Sequence, residues 1–115
     1  MQPVADLLRE ALRSGDEQGR TQIRSRHLPD HVVADLAQQT YEYALEHASE
    51  GSGDGWLICR ETIAPWWIEA ADLTDDEFRR LYMLRADVVT RLTDQGLAHR
   101  RHPRSNLLYV RRDSA

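Results

Sequence analysis

Residues 74–112 read TDDEFRRLYMLRADVVTRLTDQGLAHRRHPRSNLLYVRR, and the fold turns on how this stretch divides. Thr74-Asp75-Asp76-Glu77 is a capping-box signature: the Thr hydroxyl can accept from a free first-turn amide while Glu77 reaches back to the Thr74 N–H. Three acids at that end also suit the positive pole of a helix dipole. The helix they start carries Phe78, Leu81, Val88, Val89 and Leu92 on one face and is expected to stop at Gly96. Arg85 falls in the middle of that apolar face, so it must sit at the edge, find polar partners, or mark a bend. After Gly96, two extended runs, 97–102 and 107–112, flank Pro103-Arg104-Ser105-Asn106, which predicts a hairpin. Alternation then points Leu108 and Val110 at the core and Leu107, Tyr109 and Arg111 away from it.

Working back from Thr74, Arg60-Glu61-Thr62-Ile63-Ala64 opens a helix that continues through Trp66 and Trp67 to Ala71. Trp56-Leu57-Ile58-Cys59 is a short apolar run between breakers, read as a buried strand with Trp56 in the core. Glu50-Gly51-Ser52-Gly53-Asp54-Gly55 is a loop of turn-forming residues. Before it, Pro29 suits the first turn of a helix running to about Ser49. Val32, Val33, Leu36, Ala37, Tyr41, Tyr43, Ala44 and Ala48 cover about half of its circumference. So wide an arc requires the first helix, or a second subunit, to lie on it. That first helix is marked by Val4, Leu7, Leu8, Ala11 and Leu12, with Ser14-Gly15 as its stop and residues 15–19 as a flexible link. Residues 21–27 are assigned a helical turn.

The division expected is therefore a helical N-terminal extension over 1–28, a domain over 29–112 and a tail over 113–115. The class is mainly α with a small β-hairpin (α+β).

The chain has 115 residues, 41% hydrophobic and 30% charged, and no apolar run nears the roughly 20 residues of a membrane span. No secretory leader is visible and the lone Cys59 permits no internal disulfide, so a cytoplasmic setting is expected. All fifteen cations are Arg, as in a GC-rich bacterial genome. The net charge of −4 is unevenly spread: six Arg face ten acids in residues 1–60, four face eight in 61–96, and five face one in 97–115. Positive charge thus gathers behind Gly96.

Chemistry is sparse. His27-x-x-x-His31 has helical ligand spacing but Pro29 between and no third ligand; His99, His102 and Cys59 form a metal site only if strand and hairpin pair suitably, and no metal is expected. Cys59 in an apolar run is an inert thiol. The glycines of 51–55 follow a helix and include an acid, unlike a phosphate loop. Neither a cofactor nor enzymatic activity is expected. Trp66-Trp67 could offer one ring for base stacking, against a core role for the other.

Arg60-Glu61-Thr62-Ile63-Ala64 resembles the start of a helix-turn-helix pair. Val89-x-x-Leu92-x-x-x-Gly96-Leu97 with Arg100-Arg101 resembles a recognition helix running into a wing. From Pro29 onward the element order is similar to that of winged helix-turn-helix DNA-binding domains. The resemblance implies a sequence-specific duplex-DNA-binding transcriptional regulator acting as a homodimer. Contacts are then expected from Arg79, Arg80, Thr90 and Arg91 on the second helix, whose outward set also includes Met83 and Asp87, and from Arg100, Arg101 and Arg104 on the wing. The other reading kept open is a winged helix that binds protein instead: an adaptor, an antitoxin-like partner or a phage-type inhibitor. The acidic total favours this second reading.

Overall fold

The structure, a computed structural model, describes residues 1–51, 54–60, 63–100 and 107–112, with only the backbone of Glu50, Ile63 and Ala64. Four helices, α1 (Val4–Glu17), α2 (Asp30–Glu46), α3 (Ile63–Ala71) and α4 (Asp75–Asp94), pack with a four-stranded antiparallel sheet. The strands are β1 (Ser49–Glu50), β2 (Leu57–Arg60), β3 (Ala98–His99) and β4 (Leu107–Val110), in spatial order β1-β2-β4-β3. The α+β class is as expected. β1 was not anticipated: α2 ends at Glu46, short of Ser49, and Ser49 pairs with Ile58 instead.

One hydrophobic core spans the whole chain. Leu7, Leu8 and Ala11 of α1 are fully buried with Leu36 and Ala44 of α2, Trp67 of α3, and Leu81, Leu84 and Val88 of α4. The N-terminal helix thus shares the core of the region that follows, and the broad apolar arc of α2 is covered within the chain. Of the arc, Val32, Val33, Leu36, Ala37, Tyr41 and Ala44 are buried, and Tyr43 and Ala48 are half buried.

Helix α1 does not stop at Ser14-Gly15. It runs to Glu17 and closes at Gly19, whose φ of +65° lets Arg20 N–H donate to the Gly15 carbonyl at 2.8 Å. Gly15 serves packing instead: a Cβ there would lie 2.9 Å from Ile23 Cδ1. The stretch read as a flexible link is the last turn of a helix and its cap.

The turn from α3 to α4 follows the sequence closely. Glu77 N–H donates to Thr74 Oγ1 at 3.1 Å and Thr74 N–H donates to Glu77 Oε1 at 3.0 Å. Arg9 of α1 then locks this corner, donating to the Ala71 and Asp72 carbonyls at 2.6 and 2.7 Å and to Glu77 Oε2 at 2.6 Å. The Thr74 amide above all holds the Glu77 carboxyl below its ordinary range; burial opposes it, and the Arg9 guanidinium adds to the lowering.

Register in the sheet fixes two faces. Cys59 opposite Leu108, and Ala98 opposite Val110, turn inward and are buried. Ile58, Tyr109 and His99 turn outward. Trp56 belongs with this outer group and is only half buried, so its expected place in the core is corrected. Its ring meets His99 edge-on at 4.4 Å and carries the Arg111 guanidinium at 4.9 Å.

Candidate nucleic-acid interface

Helix α4 is continuous for 20 residues, and its apolar stripe of Leu81, Leu84, Val88, Val89 and Leu92 is buried. Arg85 lies within that arc, half buried, its guanidinium 5.0 Å from the Tyr82 ring centre. No bend is needed. The opposite face exposes Arg79, Tyr82, Thr90 and Thr93, with Met83 and Ala86 partly covered between them. Tyr82 is 50% exposed, and Met1 is the other large hydrophobic residue so exposed among the described residues.

Three residues expected to point outward from α4 instead meet the segment 16–30 that crosses its flank. Arg80 pairs with Asp16 at 2.8 Å and donates to the Arg20 carbonyl at 3.0 Å. Arg91 pairs with Asp30 at 3.0 Å. Asp87 accepts two bonds from Arg24, at 2.8 and 3.0 Å, and one from Ser25 N–H at 2.9 Å. Helical spacing identifies which side of α4 faces away from the apolar stripe; it does not say that another part of the chain lies over that side. The Arg24 bonds, then the Ser25 amide, draw the Asp87 carboxyl below its ordinary range, while burial opposes them.

The crossing segment is itself anchored. Ile23 is buried and its N–H donates to the Arg80 carbonyl at 3.0 Å. Residues Ser25–His27 form a single 3-10 turn, the helical turn expected there. His27 Nδ1 accepts from the Arg24 N–H at 3.0 Å, which requires an unprotonated nitrogen. Desolvation, then the charges of Arg20, Arg26 and Arg24, push the His27 pKa down.

Arg9, Arg24, Arg80 and Arg91 are thus tied to carboxylates. Arg20, Arg26 and Arg79 have no carboxylate partner among the described residues; the Arg20 guanidinium donates to the Gln18 amide oxygen. Between Arg24, Arg26 and His27 on one side and Arg79, Tyr82 and Met83 on the other lies an open cleft of about 460 Å³. The neighbouring hollow, lined by Arg20, Thr21 and Asp76, shares Arg79 with it.

Of the other predicted contact residues, Thr90 is exposed and Arg100 is half buried just beyond β3. Arg101 and Arg104, with the hairpin turn, lie outside the described residues, as do His102, Glu61 and Thr62. Cys59 and His99 occupy opposite faces of the sheet and do not converge; Cys59 Sγ donates to the Arg60 carbonyl at 3.2 Å. No group of three potential metal ligands occurs among the described residues. Trp67 is fully buried, and Trp66 stacks on Tyr43 at 4.3 Å, so neither forms an open platform. Among the described residues no helix is long and apolar enough to cross a membrane.

No protein family, curated protein or solved structure matches the chain.

Proposed function

We propose that this chain is a winged helix-turn-helix protein that binds duplex DNA through the outer face of α4 and the β3–β4 hairpin, as a sequence-specific, cytoplasmic regulator of transcription. The observation that carries the reading is connectivity: α2, β2, α3, a tight turn, α4, then a hairpin whose second strand pairs with β2 to give the order β2-β4-β3. In such an arrangement the second helix of the pair enters the major groove and the hairpin reaches backbone or minor groove. Arg79, Met83, Ala86 and Thr90 run along one line of α4 over twelve residues, about 16 Å at the helical rise. The small Ala86 permits close approach to a groove floor, Arg79 at the end of this line can hold a backbone phosphate, and Thr90 can reach a base edge or phosphate. Arg80 and Arg91 act behind them by holding the segment 16–30 in place. Arg100, Arg101 and Arg104 supply the hairpin's charge.

Two copies on a two-fold site is the ordinary assembly for such readers. Because the α2 arc packs against α1, α4 and the sheet, the dimer contact in this proposal uses a different surface.

The test is binding to random-sequence duplex across a salt series. Affinity should fall steeply as salt rises, and replacing Arg100, Arg101 and Arg104 by Ala should weaken it. Absence of any salt-dependent binding refutes the reading. One feature favours the second reading, a protein partner: the exposed Tyr82 beside Met83. A stoichiometric complex that forms with no DNA affinity, and is lost in Tyr82→Ala, selects it.

A further inference from the structure

The arginines behind Gly96 are not the chain's only concentrated charge. Residues 18–29 contain Arg20, Arg24 and Arg26 and no acid, a run concealed when charge is summed over the acidic first half of the chain. The fold lays this run along the flank of α4. There Arg24 is spent on Asp87, while Arg20 and Arg26 stand on either side of Arg79.

We propose that Arg26, Arg79 and Arg20 form a track for the phosphate backbone of duplex DNA, with the cleft between Arg26 and Arg79 as its principal seat. The inference rests on the duplex-binding reading and moves most of the phosphate grip from the hairpin to the N-terminal segment. Three features argue for a built seat. The guanidiniums have no carboxylate partners among the described residues, although the chain as a whole carries four more acids than cations. Their backbone is fixed, because the Arg24–Asp87 fork, the Ser25 amide and the buried Ile23 pin the segment to α4, so little order must be created on binding. Of the acids near the track, Asp87 and Asp16 are already paired, which leaves Asp76 against three guanidiniums that have no carboxylate partner among the described residues. A polyanion is the partner this surplus suits, and the track adjoins the α4 face offered to the groove.

Binding of a fluorescent random-sequence duplex to the full chain is measured against salt for wild type, Arg26→Ala, Arg79→Ala and the double variant. Arg13→Ala, an exposed cation away from both hollows, is the control. Each track substitution should lower the slope of log K against log salt by about one. The double variant should lose about two, while Arg13→Ala keeps the wild-type slope. Thermal melting of the variants should match wild type, which separates lost contacts from lost fold. Wild-type duplex binding with an unchanged slope in the double variant overturns the track and leaves the duplex reading standing; no wild-type binding overturns both. A free nucleoside monophosphate should bind far more weakly than duplex, and equal affinity would overturn assignment of the seat to the duplex backbone.

Discussion

The two sides of α4 treat the same residue type in opposite ways. On the flank crossed by segment 16–30, Arg80 and Arg91 are matched to Asp16 and Asp30, and Asp87 is matched to Arg24. On the open face Arg79 stands without a carboxylate among the described residues, beside Arg26 and Arg20. A carboxylate answers the field of a guanidinium locally, so a paired arginine contributes to fold geometry and little to long-range attraction. An unpaired one adds nothing comparable to the fold and leaves its charge available to a polyanion. Net charge therefore says little about partners here; the pairing of individual arginines says more.

The sharpest way to break this contrast is to detach the crossing segment. Ile23 is 1% exposed and wedges against Gly15, so Ile23→Ala should cost about 2–5 kcal/mol in chemical denaturation. A cost below about 0.5 kcal/mol, the usual range for a surface change, would mean the segment is not part of the core.

Next comes the carboxylate that receives the segment. Asp87→Ala removes three accepted bonds from a pair whose side chains are 35% and 17% exposed; allowing for solvent screening, a loss of about 1–2 kcal/mol is expected. Its pH signature is specific. Asp87 and Glu77 have folded pKa values below their ordinary 3.8 and 4.5, so the stability they add is complete above those values and is lost as pH falls through the lowered ones. Denaturant midpoints taken from pH 7 to pH 3 should fall in wild type and fall less in Asp87→Ala. Parallel curves would contradict the assignment. Smallest of all is the stability effect on the open side, where Arg26→Ala and Arg79→Ala should each stay within about 0.5 kcal/mol of wild type.

Much of the fold could be read from local rules. The Thr74 capping box, the alternation in β4 and the closure at Gly96 each depend on neighbours within a few residues, and each stands where the sequence places it. What escaped required knowledge of distant contacts. Gly15 looked like a helix stop because its real constraint, the approach of Ile23, comes from residues beyond the helix. Trp56 looked like core because apolar runs usually are, yet register with β4 sets it beside His99 and Arg111 on the outer face. In the candidate interface Arg79 and Thr90 face outward as expected, whereas Arg80 and Arg91 do not. The charge of Arg20 and Arg26 is hidden in a sum with the ten acids of residues 1–60. Over residues 18–29 alone, the same charge is three Arg and no acid.

The most direct test of the account follows backbone amide shifts by NMR as a short random-sequence duplex is added at low salt. Shifts should concentrate on residues 20–27, on the outer line of α4 from Arg79 to Thr90, and on the hairpin strands. Perturbations confined to α1 and the outer side of α2, with α4 and residues 20–27 silent, would contradict it.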